Sequence, residues 1–276
     1  MIRVLNEGSE ERWSGFSAGL KLMQCDTRGR VDEIKNFPDA DSIEISGLTQ
    51  QTFEYFVKTY GSQFKKIYFF KNPRVSDLSA LAGLERVEFI KYYWNNTAAA
   101  LWNTGGNKRL ERLELYQLTA LKTLEGVQFA PRLKYLSLTA YSKDYLDISP
   151  LADSGIEVLD ICARFKESDA RIFTKMGSLK GLYFIPNLFN TETIAWLTAN
   201  LIVRSETLNP YVYYFDKTKT VQRGEAPDVL ICGRRKPSLY SDRDKLKIQN
   251  YVNKFNALVE KYRGKSYEEA FRQGEI

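Results

Sequence analysis

Six times along the chain an apolar residue is followed by two spacers, a second apolar residue, one spacer and a third apolar residue. The copies are Phe64-Lys65-Lys66-Ile67-Tyr68-Phe69, Leu84-Glu85-Arg86-Val87-Glu88-Phe89, Leu110-Glu111-Arg112-Leu113-Glu114-Leu115, Leu133-Lys134-Tyr135-Leu136-Ser137-Leu138, Ile156-Glu157-Val158-Leu159-Asp160-Ile161 and Leu179-Lys180-Gly181-Leu182-Tyr183-Phe184. A weaker first copy carries Ala40, Ile43 and Ile45. The copies begin at residues 40, 64, 84, 110, 133, 156 and 179, so successive intervals are 24, 20, 26, 23, 23 and 23 residues. A recurring interval of this size marks a stacked repeat architecture. Side chains alternate across a strand, so the last two apolar residues of each copy share one face and the residue between them points the other way. One such turn cannot bury its apolar face alone. Stacked turns share a continuous core and are stabilised by nearest-neighbour interfaces.

The segments between copies predict both helices and tighter turns. Phe53, Phe56, Val57 and Tyr60 recur at helical spacing between Thr49 and Gly61, which reads as a helix with a glycine stop. Glu167 to Met176, before Gly177, and Thr191 to Asn200 read as helices too. Ala98 to Trp102 leads into Gly105-Gly106, a turn that lacks the lysine and spacing of a phosphate loop. Beyond about residue 203 the period stops. Tyr211 to Phe215 and Val229 to Cys232 read as two strands around a polar, basic loop. Ser241 then caps a helix whose stripe is Ile248, Tyr251, Val252, Phe255, Leu258, Val259 and Tyr262, closed by Gly264. That stripe is expected to dock on residues 204–235 or on the last repeat. Ser266-Tyr267-Glu268-Glu269 is a capping box for a short final helix.

The recurring phrase resembles the leucine-rich repeat family, whose unit of about 20 to 29 residues is built on L-x-x-L-x-L-x-x-N. The best single match runs through Phe64, Ile67, Phe69, Asn72 and Val75, with the asparagine where the family caps the turn leaving the strand. Val75 to Leu84 and Leu146 to Ala152 resemble the internalin-type connection of bacterial proteins, a short 3-10 or helical turn. The capping asparagine recurs at Asn187 and is replaced by Tyr92, Leu118, Tyr141 and Arg164. The resemblance covers about residues 39–200. It implies an α/β leucine-rich repeat solenoid, with a curved parallel β-sheet on the concave face and helices and 3-10 turns on the convex face. On this reading residues 1–38 are an N-terminal cap in which Trp13, Phe16 and Leu20 cover the first repeat. Residues 39–203 are a solenoid of about seven repeats, and residues 204–276 are a C-terminal cap with two strands and an amphipathic helix. The resemblance also implies a bacterial source and use in protein binding.

Composition narrows the chemistry. The 276 residues contain no histidine, which removes Ser-His-Asp and Cys-His nucleophiles and histidine-ligated zinc. Cys25, Cys162 and Cys232 are odd in number and widely spaced, so they outline neither a disulfide framework nor a zinc cluster and fit a reducing compartment. The first 15 residues carry Glu7, Glu10 and Glu11 without a long apolar run, and no stretch approaches about 18 apolar residues. The expectation is a cytoplasmic protein without membrane insertion. Asn95-Asn96-Thr97 matches a glycosylation acceptor and is read as chance. The net charge of +6 is uneven: residues 1–203 hold 25 basic and 24 acidic side chains, residues 204–276 hold 15 and 10.

In the frame set by the copies, the exposed column between the two inner positions is Glu44, Tyr68, Glu88, Glu114, Ser137, Asp160 and Tyr183. Phe70, Ile90, Tyr116 and Cys162 follow on one side, Lys66, Arg86, Arg112 and Tyr135 on the other, and Lys71, Lys91, Tyr92, Trp94, Tyr141 and Arg164 lie farther out. Aromatic side chains beside ordered charges suit the core of a protein interface. Seven strands at about 4.8 Å give a surface some 30 Å long, room for about 800 Å² per partner. The expected partner-binding residues are Lys66, Tyr68, Phe70, Arg86, Glu88, Ile90, Tyr92, Arg112, Glu114, Tyr116, Tyr135, Asp160 and Tyr183. The function read from them is non-enzymatic recognition of an unidentified protein partner, with no catalytic, cofactor-binding or metal-ligating residue assigned. One alternative is polyanion or nucleic-acid binding by the basic C-terminal region, including Arg234-Arg235-Lys236; the acidic column disfavours it on the concave face. The other is a carboxylate hydrolase using Glu88 and Glu114, which Arg86 and Arg112 are placed to neutralise.

Overall fold

The computed structural model describes residues 19–213 and 227–271; Trp13, Phe16, Tyr214 and Phe215 lie outside them. The chain divides into two compact units at residues 179 and 180.

In the first unit the elements are β1 (Leu20–Leu22), α1 (Arg28–Val31), β2 (Ser42–Ser46), α2 (Gln50–Tyr60), β3 (Lys66–Phe70), β4 (Phe89–Asn95), β5 (Arg112–Leu118), β6 (Tyr135–Ala140) and β7 (Val158–Ala163). Each strand pairs in parallel with the next in chain order. Two rows of apolar side chains run across this ladder. Leu20, Ile43, Ile67, Ile90, Leu113, Leu136 and Leu159 form one, and Leu22, Ile45, Phe69, Tyr92, Leu115, Leu138 and Ile161 the other. All of them are buried.

The register corrects one copy of the phrase. From Ile43 the first inner row advances by 24 residues to Ile67 and then by 23 at every step to Leu159. The β4 unit is therefore Val87, Ile90 and Tyr92, three residues beyond the Leu84, Val87 and Phe89 frame. Leu84, Val87 and Ile90 are spaced by three, so the apolar template fits at two offsets, and the hydrogen-bond ladder admits one. Tyr92 takes a leucine position because its ring stacks on Phe69 at 5.1 Å and its hydroxyl accepts from the Asn95 amide at 3.3 Å.

The first five strands, β1 to β5, end in the same way. Gln24, Gly47, Lys71, Trp94 and Gln117 all hold positive φ, between 54° and 74°, at corresponding places in successive turns. The next position is capped by asparagine twice. Asn72 accepts from Leu48 N at 2.8 Å and donates to the Ile45 carbonyl at 3.2 Å. Asn95 donates to the carbonyl of Val75 at 2.7 Å and accepts from Thr97 N and Ala98 N at 2.9 and 2.8 Å. Asn95, not Tyr92, thus occupies the capping place in its turn, and its full burial takes it out of reach as a glycosylation acceptor.

Return segments close the turns. In α2, Thr49 and Thr52 cap reciprocally, and Phe53 and Phe56 pack against Phe69 at 5.5 and 6.0 Å. The Val75–Leu84 and Leu146–Ala152 connections contain 3-10 turns at Ser79–Gly83 and Ser149–Asp153, as their resemblance implied. Glu167–Lys175, expected as an α-helix, is a 3-10 helix. Its buried residues are Ala170, Ile172 and Phe173; Ala170, Phe173 and the C-cap Met176 fall three apart, in step with three residues per turn.

The second unit holds β8 (Gly181–Phe184), α3 (Thr191–Asn200), β9 (Tyr211–Tyr213), β10 (Val229–Ile231), β11 (Ser238–Leu239), α4 (Lys245–Tyr262) and α5 (Tyr267–Ala270). β8 carries Leu182, and Gly181 bridges Arg204 in parallel. β9, β10 and β11 form an antiparallel sheet with β10 central; β11 is a strand the sequence reading lacked. Ile248 and Tyr251 of α4 pack on Val229, Ile231 and Leu239, so the apolar stripe docks within residues 180–271. Ser241 does not cap α4. Its hydroxyl donates to Asp228 at 2.6 Å, and Asp244 holds the N-cap position. The capping box of α5 forms as expected. Among the described residues no helix is long and apolar enough to cross a membrane.

Candidate functional site

Alternation along each strand turns the remaining side chains of β1–β7 to the other face of the sheet, where Phe89 is the one buried large apolar residue; this open face is the one expected to be concave. Its middle row is Lys21, Glu44, Tyr68, Lys91, Glu114, Ser137 and Asp160, and the row beyond includes Ser46, Phe70, Tyr93, Tyr116, Thr139 and Cys162. Lys66, Phe89, Arg112 and Tyr135 stand at the start of their strands in a third row.

Charge is organised around Glu114, which is 6% exposed. Its carboxylate accepts from Arg112 at 2.6 Å and lies 3.6 Å from the Lys91 ammonium. Arg112 also stacks over Tyr135, 3.7 Å from the ring centroid, and Lys91 sits 5.0 Å from the Tyr68 ring and 5.5 Å from Tyr116. Cation, carboxylate and rings hold one another, so little side-chain entropy is left to lose on binding. Lys21 and Glu44 pair at 2.8 Å on the first two strands.

The rings form a second network. Phe70 stacks on Tyr93 at 5.6 Å with 14° between planes, and Tyr68 meets Phe70 edge-on at 5.7 Å. Burial, reinforced by Glu44, pushes the Tyr68 phenol up to about 12. Burial does the same for Tyr135, to about 12 even against Arg112, and it raises Tyr116. These tyrosines therefore stay neutral at physiological pH. Ser137 donates to Asp160 at 3.1 Å, yet burial of the Asp160 carboxyl dominates and raises its pKa. Cys162 is also raised by burial, which suppresses the thiolate a nucleophile needs.

The expected binding residues divide accordingly. Lys66, Tyr68, Phe70, Arg112, Glu114, Tyr116, Tyr135 and Asp160 lie on the open face, none of them fully buried except Glu114. Ile90 and Tyr92, expected on the binding surface, lie in the core instead, with no exposed surface, because the three-residue shift turns them inward. Tyr183, in β8, is buried at 8% exposure. Arg86 lies ahead of β4, and Glu88 is positioned at the turn into that strand, where its carbonyl accepts from Glu111 N at 2.9 Å and Arg112 N at 3.2 Å. The Glu88 side chain borders an open cavity of about 300 Å³ with Lys108, Arg109, Glu111 and Arg132. The carboxylate pair required for hydrolysis is thus absent from β4 and β5: Lys91, not Glu88, stands opposite Glu114. The sequence frame left Tyr93 out and put Lys91 and Trp94 beyond the strand columns; the ladder sets Lys91 and Tyr93 in the columns and Trp94 at the turn that follows. The signal for the offset was the pair of adjacent intervals of 20 and 26 residues, whose mean is the interval between the copies that follow.

Among the described residues no group of three or more Cys, Asp or Glu side chains is arranged to hold a metal. No protein-family model matches the chain, and no curated protein does. Among solved structures, the chain is similar to an internalin (inlF) from Listeria monocytogenes strain 4b F2365, with a TM-score of 0.43 and 14% identity. The match covers 62% of this chain and 48% of the internalin, about half the length of that protein. What decides the architecture is the ladder itself: parallel strands one repeat apart, two inner apolar rows, asparagine-capped turns and 3-10 returns. The fold is a leucine-rich repeat solenoid. In a leucine-rich repeat every turn presents the same strand positions, so the open face is a grid on which side-chain identity alone varies from row to row.

Proposed function

We propose that this leucine-rich repeat protein is a non-catalytic recognition module that holds a protein partner on the open face of β3 to β6, in a bacterial cytoplasm. The observation that carries this reading is the Lys91, Glu114 and Arg112 cluster braced by Tyr68, Tyr116 and Tyr135. Interfaces concentrate their energy in tyrosine, tryptophan and arginine held in place before binding. Here such side chains come from four adjacent strands, and their rigidity comes from the ladder beneath them.

The test is affinity capture from the source cell with the chain as bait, in wild type, in Tyr68→Ala/Tyr93→Ala and in Lys58→Ala. Lys58 is an exposed residue of α2 away from the open face. Partners retained by wild type and Lys58→Ala but lost with the double variant, at unchanged circular dichroism, support the reading. Capture of the same proteins by all three baits overturns it.

A further inference from the structure

We infer that the open face selects acidic partners: the corner formed by Phe70, Lys71, Tyr93 and Trp94 takes a protein segment in which a carboxylate lies beside an apolar side chain. The inference rests on the recognition reading above and specifies the chemistry of its partner.

It starts from two residues in costly places. Lys71 and Trp94 occupy the positive-φ position of successive turns, with φ of 54° and 61°. The equivalent residues are Gln24, Gly47 and Gln117, types that tolerate the left-handed region better than a bulky aromatic does. The backbone there needs no tryptophan. Nor does the core, since Trp94 is 44% exposed. Its ring instead lies 5.2 Å from the Lys71 ammonium, which is also 5.0 Å from the Phe70 ring, and Phe70 stacks on Tyr93.

The charge around this corner is unbalanced. Glu44 is engaged by Lys21 and Asp26 by Arg74, while Glu114 answers both Arg112 and Lys91. Among the described residues no carboxylate lies within ion-pair distance of Lys71. A partner that covers Phe70 and Trp94 dehydrates that ammonium, which is expensive unless the partner supplies an opposite charge. A basic partner is repelled at the same point. Single-stranded nucleic acid, the other ligand that combines rings with cations, needs exposed ring faces and a continuous basic track. Here Phe70 and Tyr93 cover each other, Lys71 and Lys91 cover ring faces, and Glu44, Glu114 and Asp160 line the same sheet.

The experiment is selection of a random twelve-residue displayed peptide library on the full chain. Wild type should enrich peptides with Asp or Glu next to Phe, Leu or Trp. Lys71→Glu should turn the enrichment toward Lys and Arg. Trp94→Gly should weaken the wild-type peptides by more than about tenfold without lowering the thermal midpoint, because glycine suits positive φ. If that variant is less stable, Trp94→Gln, the residue type of Gln24 and Gln117, carries the same expectation. Enriched peptides with no acidic bias, or a bias that survives Lys71→Glu, overturn the inference. So does oligo(dT) binding that Lys71→Glu abolishes. Peptides without acidic bias that are still lost in Tyr68→Ala/Tyr93→Ala sink this inference and leave the recognition reading standing. Peptides insensitive to every face variant sink both.

Discussion

The side-chain amide of Asn95 donates to the main-chain carbonyl of Asn72, 3.3 Å away and one turn earlier in the solenoid. The two asparagines stand 23 residues apart at the same place in successive turns, so each cap also ties its turn to the one before. Both are fully buried, and the Asn95 side chain meets six polar groups in all, counting the Tyr92 hydroxyl, the Val75 carbonyl, the amides of Thr97 and Ala98 and the Thr97 hydroxyl.

Asn95→Ala should lower stability by about 3 kcal/mol, since it leaves buried amides and carbonyls unpaired at about 1 to 3 kcal/mol each, partly relieved by relaxation. Urea unfolding would show a lower midpoint with an unchanged slope. A loss below about 1 kcal/mol would mean that the cap is dispensable.

Glu114→Gln should cost about 2 kcal/mol, because it removes the negative charge shared by Arg112 and Lys91 in a site where the carboxylate is nearly inaccessible. Adding Lys91→Met should recover part of that loss. The double-mutant cycle measures the coupling. Additive losses would show that Lys91 and Glu114 do not interact energetically.

Asp160 and Asp32 should respond to pH in opposite directions. Asp160 has a raised pKa because burial disfavours its charged form. The folded state therefore holds that proton longer than the unfolded state, and stability falls as pH rises through the interval between the two values. Asp160→Asn should gain stability over wild type at pH 7 and show no gain below the carboxylate range. Hydrogen bonds from Tyr60, Tyr55 and Lys35 lower Asp32 to about 2. Its contribution is complete above the unfolded value near 3.8 and disappears as pH falls toward 2. Asp32→Asn should thus destabilise at neutral pH and converge with wild type in acid. Urea midpoints at pH 2.5, 4 and 7 check both signs.

The three cysteines should label slowly in the native state. Burial pushes Cys25 up to about 11 and Cys232 up to about 12, and raises Cys162 as well. Cys25 and Cys232 are fully buried, whereas Cys162 is partly open. A chromogenic disulfide at pH 7.5 should react first with Cys162, and with all three only after denaturation. Immediate reaction of three thiols in the native protein would contradict this packing.

Much of the fold was legible because core positions are chemically simple. Ile67, Leu113, Leu136 and Leu159 are aliphatic in every copy, and Thr49, Gly61 and Ser266 sit at helix boundaries where their side chains or their lack of one matter. The open face was less legible. A three-residue slip at Leu84 put Arg86, Glu88 and Ile90 in the places that Phe89, Lys91 and Tyr93 hold, and hid the cap at Asn95 behind Tyr92. Ser241 misled for a related reason: a good capping residue had a better acceptor in Asp228, a pairing invisible along the chain.

Taken alone, the order of residues determined the repeat length, the parallel ladder and the aliphatic rows, because burying one face of every turn demands an apolar residue at a fixed recurrence. Tertiary structure decided the offset of each turn against its neighbours, and with it which side chains leave the core. An apolar run spaced by three satisfies burial at two offsets. Backbone hydrogen bonds to the strands on both sides satisfy only one.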